Sequence, residues 1–201
     1  MDTIWPQVIE FVKQKLREFY GFCHMLKLRL ATEDDIEAIQ SLMRFAILEL
    51  QKGYLTEAQI KASFAGMGLD TQLIKDKTYF CVLDNDLLVG CGGWSRRATL
   101  YGGNHSAGRN AAILDPATDR ARIRAMYTHP AHTRRGIGKL IIEAGEVAAQ
   151  AEGFKALEMA ATMAGVPFYK KCGYSVEREW HDTNGDVPVP LCTMVKSLVD
   201  N

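Results

Sequence analysis

The 201-residue chain lacks net charge, since 24 Lys and Arg balance 24 Asp and Glu. Global attraction to nucleic acid or anionic membrane is therefore absent, and only local patches remain to consider. No apolar run approaches the roughly 20 residues that a membrane-spanning helix needs. The five cysteines, Cys23, Cys81, Cys91, Cys172 and Cys192, are odd in number and contain no Cys-x-x-Cys pair. That pattern suits reduced thiols in a cytoplasm better than a secreted disulfide framework. Lys13, Lys15, Arg17 and Glu18 interrupt the first 24 residues, which removes the continuous apolar centre of a secretion signal. The expectation is a soluble, cytoplasmic protein that binds neither nucleic acid nor membrane. A chain of this length buries about 70% of its unfolded surface, so a core needs no disulfides or structural metal.

Apolar periodicity then orders the chain. Ile4, Val8, Phe11, Val12, Leu16, Phe19 and Tyr20 recur at helical steps, which predicts an amphipathic helix over about 5–20 within an N-terminal extension of residues 1–24. Its apolar face is expected to dock on the domain or on a partner chain, which leaves a homodimer open. The domain itself is expected over 25–201. Leu26–Leu30 alternates as a strand, and Thr32-Glu33-Asp34-Asp35 caps a helix running to Leu50. Thr56-Glu57-Ala58-Gln59 opens a second helix through Phe64, ended by Gly66 and Gly68. Strands follow at 78–83 and 87–94, joined by the polar turn Asp84-Asn85-Asp86. Between Ser95 and Asp119 no periodicity survives, and loops this long are usually functional or disordered. A strand (120–128), a helix (137–152), a strand (156–161), a short helix (166–172) and two strands (174–180 and 187–196) complete an α/β chain with a mixed sheet.

Residues 120–139, RARIRAMYTHPAHTRRGIGK, carry the most chemical information. A strand ends at Thr128, a turn passes through Pro130, and a glycine-bearing loop runs straight into a helix. Such a junction aims unpaired backbone N–H groups and the positive end of a helix dipole at one spot. Gly136 and Gly138 permit close approach of a ligand, and Arg134, Arg135 and Lys139 add positive charge, so the loop suits a pyrophosphate. The sequence fits neither a P-loop, because Leu140 follows Lys139, nor a dinucleotide fingerprint, because only two glycines are spaced there.

The loop Thr133-Arg134-Arg135-Gly136-Ile137-Gly138, preceded by Met126-Tyr127-Thr128-His129-Pro130, resembles the acyl-CoA loop of the GNAT superfamily of N-acyltransferases. The later Phe168-Tyr169-Lys170-Lys171-Cys172-Gly173-Tyr174 resembles that family's F-Y-x-x-x-G-[FY] signature. The resemblance spans roughly 26–196 and implies a GNAT-type fold. It further implies an N-acetyltransferase moving acetyl from acetyl-CoA to a primary amine of a small molecule, by direct attack in a ternary complex. A non-catalytic acyl-CoA-binding regulatory module and an enzyme acting on a protein amine are the alternatives. By the same resemblance, backbone groups of Met126 and Thr128 pair with the pantetheine arm like an added strand. Residues 134–139 (Arg134, Arg135, Gly136, Ile137, Gly138, Lys139) hold the pyrophosphate. A backbone N–H near Met126 or Tyr127 meets the oxyanion, and Tyr169 acts as general acid toward the departing thiolate. The sequence departs from the family at Thr133, where Gln or Arg is usual, and at Thr162, the nearest match to an Asn that bonds the pantetheine.

Other groups suit the remaining roles. Glu158, His129, His181, Asp182 or a water chain would take the amine's proton, while Arg122 stands where relatives often carry a glutamate. Arg120, Arg122 and Arg124 share one strand face and must be paired or face a wet cavity. Either they pair with Glu158 and neighbouring carboxylates, or Arg122 or Arg124 receives a carboxylate on the acceptor. His129-x-x-His132 lacks a third ligand, so no metal is expected. Cys172 lacks a recognisable His partner, so it reads as a structural thiol. The acceptor pocket is expected from residues 45–70 and the 95–119 loop.

Overall fold

The computed structural model describes residues 26–199 together with Pro6, Val8, Glu10, Phe11 and Gln14. Seven strands form one mixed sheet: β1 (Leu26–Leu30), β2 (Tyr79–Asp84), β3 (Leu87–Ser95), β4 (Ala121–Thr128), β5 (Ala156–Thr162), β6 (Ser175–Asp182) and β7 (Val189–Ser197). Their spatial order is β1-β2-β3-β4-β5-β7-β6. The strands β1 to β4 form an antiparallel meander, whereas β4 and β5 run parallel through a helical crossover. That central pairing is short. Only Ala121↔Leu157 and Arg122↔Glu158 are in register, and beyond them the two strands part.

Helices cover both faces. On one lie α1 (Ile36–Leu50), α2 (Glu57–Gly66) and α3 (Thr71–Lys75), with Ile39, Met43 and Ile47 packed on Tyr79, Cys81 and Cys91. On the other lie α4 (Ile137–Ala151) and α5 (Val166–Lys171), with Ile141, Ala144 and Ala148 against Phe80, Trp94 and Leu157. Both expected capping signals form. Asp35 reaches back to the Thr32 N–H at 2.8 Å, and Gln59 reaches back to the Thr56 N–H at 3.0 Å. The short α3 has no counterpart in the sequence reading. It is capped by Asp70, whose Oδ1 accepts the Gln72 N–H at 3.1 Å.

Beyond Ser95, which ends β3, the long segment to 119 holds no helix or strand, only an isolated bridge between Arg97 and Ile113. Side chains pin it instead. Arg97 grips Asp76 through Nε at 2.6 Å and Nη2 at 2.8 Å. Of the N-terminal extension, the five described residues are helical. Val8 is buried in the α4-side core and Phe11 packs against it, while Glu10 and Gln14 are exposed. The rest of the expected helix, and the boundary at residue 24, lie outside the described residues. Among the described residues no helix is long and apolar enough to cross a membrane.

Candidate active site

Where β4 and β5 part, a cavity of about 690 Å³ opens between them and connects the two faces of the sheet. Past Arg122 the β5-side backbone groups of β4 have no ladder partner, and Met126 and Thr128 line the gap. A β-bulge on the other edge of β4 shapes this wall. Gly93 pairs with Arg124 and Cys91 with Tyr127, so Ala125 and Met126 together oppose one residue of β3. Ala125 adopts a left-handed conformation with φ 49°. A Cβ makes that cost about 1–2 kcal/mol. The Tyr79 hydroxyl donates to the Ala125 carbonyl at 2.7 Å and holds the bulge in place.

The cavity ends at the turn into α4. Arg134 (φ 63°) and Gly136 (φ 76°) are both left-handed, which curls the loop so that successive N–H groups face the same side. Gly136 is the N-cap of α4, and no side chain caps it. Leu140 is the first residue whose N–H finds a helical partner, the Gly136 carbonyl at 2.9 Å. The N–H groups of Ile137 and Gly138 precede the first intrahelical bond, and a glycine at the αL cap is what permits the curl.

Thr133, Arg134, Gly136, Ile137, Gly138 and Lys139 all line the cavity. Arg135 does not: its Nη1 donates to Asp84 Oδ2 at 2.7 Å and to His132 Nδ1 at 2.6 Å. Its charge therefore orders the loop from behind. Gly138 has a packing reason too, because a Cβ there would stand 3.1 Å from the Phe168 ring.

Tyr169 lines the cavity opposite, its ring packed against Phe168 and Tyr174. Burial pushes its phenol well above the ordinary value, with a smaller contribution from the Cys172 thiol. A phenol held protonated in this way can donate a hydrogen bond into the cavity. Tyr127 also lines the cavity, and burial raises its phenol likewise. Thr162 lines it at the end of β5, with its Oγ1 accepting the Gly165 N–H at 3.3 Å. Burial raises the Cys172 thiol, the opposite of what a nucleophile requires.

The two arginines raised as acceptor ligands part company. Arg122 is ion-paired with Glu158 outside the cavity lining, and Arg120 stands 3.6 Å from the same carboxylate. Arg124 does line the cavity but is 3% exposed and committed elsewhere. It donates to the Thr99 carbonyl at 2.6 Å, the Gly102 carbonyl at 2.7 Å and Asp70 Oδ2 at 3.2 Å. Burial lowers its guanidinium, and Asp70 opposes that shift.

His129 accepts the Ala131 N–H and packs on Phe45, and Glu158 belongs to the arginine row. His181 is exposed at the sheet edge, and Asp182 is buried behind Tyr101. Among the described residues no group of three or more His, Cys, Asp or Glu could hold a metal ion.

The segments expected to form an acceptor pocket do reach the cavity, through Ile47, Leu50, Gln51, Tyr54, Met67 and the 100–102 stretch. The bulge at Ala125 had no sequence signal, because nothing marks an alanine as left-handed.

These features agree with the comparisons. The sequence model of the acetyltransferase (GNAT) family matches residues 39–174. The chain belongs to that family. A search of curated proteins returns no match. Among solved structures, a GCN5-related N-acetyltransferase from Rhodopseudomonas palustris is 19% identical with a TM-score of 0.64, covering 86% of this chain and 96% of that one. PaiA N-acetyltransferase from Thermoplasma acidophilum, in complex with coenzyme A, is 16% identical with a TM-score of 0.59, covering 86% and 99%. The yncA protein of Salmonella typhimurium, with its cofactor acetyl-CoA, is 16% identical with a TM-score of 0.57, covering 88% and 96%. At these identities the likeness establishes the fold, a GNAT-type mixed α/β sheet.

Proposed function

We propose that the protein is an acetyl-CoA-dependent N-acetyltransferase that acetylates a primary amine of a small molecule in a ternary complex. The observation that carries this reading is the cavity running through the β4–β5 gap to the uncapped N-terminus of α4. An extended thioester arm fits between the strands on the free groups of Met126 and Thr128. The amides of 136–139, with Arg134 and Lys139 beside them, match a diphosphate. The Thermoplasma and Salmonella structures carry coenzyme A and acetyl-CoA, which supports the same ligand class here.

In the reaction the acceptor nitrogen attacks the thioester carbonyl. A C–N bond forms, the C–S bond breaks, and the amine's proton passes to water, from which Tyr169 is afterwards reprotonated. Much of the rate comes from holding both reactants together. A backbone N–H at the bulge, near Met126 or Tyr127, meets the oxyanion, a contribution of about 3–4 kcal/mol where such donors have been removed. Tyr169 gives its proton to the leaving sulfur.

Calorimetric titration with acetyl-CoA, then thiol release against a panel of amines with Tyr169→Phe alongside, tests the reading. Binding, turnover and a loss in kcat of about 100-fold or more for the variant are expected. Acetyl-CoA binding without turnover would indicate a non-catalytic module, and absence of binding would refute the proposal. An unchanged kcat would make Tyr169 a core aromatic.

A further inference from the structure

The half of the cavity facing α1 and α2 differs in chemistry from the half at α4. Ile47, Leu50, Tyr54, Met67, Leu100 and Tyr101 make an apolar and aromatic wall. Among the described residues, no Asp or Glu lines the cavity anywhere; its basic members are Arg124, His132, Arg134, Lys139 and Lys171. Of these, Arg124 is the one borne by the wall's own end of β4, and it is buried and satisfied by Thr99, Gly102 and Asp70.

Two polar groups interrupt the apolar wall. Gln51, 4% exposed, has an Oε1 that is buried without a hydrogen-bond partner, while its Nε2 rests on the Met67 sulfur at 3.5 Å. Tyr101 presents its ring to the cavity, packed edge-on to Trp180 at 5.8 Å. Its hydroxyl and Asp182 Oδ2 crowd together into the space that a Cβ on Gly66 would occupy. The other oxygen of Asp182 accepts from Asn184 Nδ2 at 2.6 Å. Tyr101 is thus an aromatic panel packed on Trp180, its buried hydroxyl without a hydrogen-bond partner.

Resting on the acetyltransferase reading above, we infer that the acceptor is a monoamine with an apolar or aromatic tail, selected by the Leu50–Tyr101 wall. The tail lies on Leu50, Met67 and Tyr101, and the amine donates one N–H to the vacant Gln51 Oε1. A wall without carboxylates, beside a buried guanidinium, disfavours a cation. The nitrogen therefore enters as the free amine, which is the form that attacks. A polyamine or aminoglycoside would have to bury further ammonium groups with nothing opposite them, and an amino acid would need an arginine that Arg124 does not offer.

The test compares kcat/KM for 2-phenylethylamine and hexylamine with that for spermidine, kanamycin and alanine, at a fixed saturating acetyl-CoA concentration. The apolar amines are expected to lead by about 30-fold or more. Leu50→Glu is expected to narrow that ratio by about tenfold, with the KM for acetyl-CoA unchanged. Gln51→Met is expected to raise the amine KM about tenfold at similar kcat.

Spermidine, kanamycin or alanine as the best acceptor would overturn the inference, as would variants that leave the ratio and the amine KM alone. If acetyl-CoA binds and only charged acceptors turn over, the substrate class is wrong and the acetyltransferase reading stands. If acetyl-CoA does not bind at all, both fall.

Discussion

Arg124→Met offers a sharp test of how the acceptor side is built. The guanidinium ties β4 to the 95–119 segment through two carbonyls, Thr99 at 2.6 Å and Gly102 at 2.7 Å, and to Asp70 at 3.2 Å. Removing it strands the buried Thr99 carbonyl, at about 1–3 kcal/mol, and the half-buried Gly102 carbonyl, at less than that. Breaking a buried ion pair costs about 3–5 kcal/mol when the partner is left alone. Here Asp70 keeps Arg109 at 2.5 Å and the Gln72 N–H at 3.1 Å, so that contribution is much reduced. A net loss of about 3 kcal/mol is expected from urea unfolding. A double-mutant cycle with Asp70→Asn should give a coupling of about 1 kcal/mol or more.

Because Leu100, Tyr101 and Gly102 belong to the tethered segment, the KM for the amine should rise severalfold while acetyl-CoA affinity holds. A variant within about 0.5 kcal/mol of the parent, with no coupling and an unchanged amine KM, would refute the clamp. Unaltered stability with selective loss of carboxylate-bearing acceptors would instead restore Arg124 as a substrate ligand.

Two further outcomes follow from the packing. Asp35, bound by Arg29 through both oxygens at 2.6 and 2.7 Å and by the Thr32 N–H, has its carboxyl held down to about 2 from 3.8. A carboxyl depressed in the folded state stabilises above its unfolded value and loses that contribution as pH falls from about 4 towards 2. Allowing for the partly exposed Arg29, Asp35→Asn should lose about 1–2 kcal/mol at pH 7 and flatten acid unfolding in that window, which circular dichroism against pH would show. Gly66→Ala drives a methyl into Asp182 Oδ2 and the Tyr101 ring, and should lose about 1–3 kcal/mol in a urea titration. A loss below about 0.5 kcal/mol would mean the pair yields freely.

Much of the architecture was legible because it rests on local rules. Alternation marked β1, apolar runs around a polar turn marked β2 and β3, caps at Thr32 and Thr56 marked α1 and α2, and the glycine turn into Ile137 marked α4. Asp70 is an ordinary helix cap, yet α3 was missed, because five residues carry too little apolar period to register. The loop proposed to hold the anion was picked out for the same reason as α4: the geometry of any helix start leaves N–H groups without intrahelical partners. That the Arg135 side chain pairs with Asp84 was not legible, because Asp84 lies 51 residues away in sequence.

Local sequence thus determined most of the strands and helices, and the helix start at Gly136 to which the proposal assigns a diphosphate. It could not determine where β4 leaves β5, that Ala125 turns left-handed, or that Arg124 is buried against a loop instead of open to a ligand. Those depend on strand register and on contacts between residues far apart in the chain. Only the closed tertiary structure satisfies or denies them, since a buried charge or a bulge is settled by what packs around it.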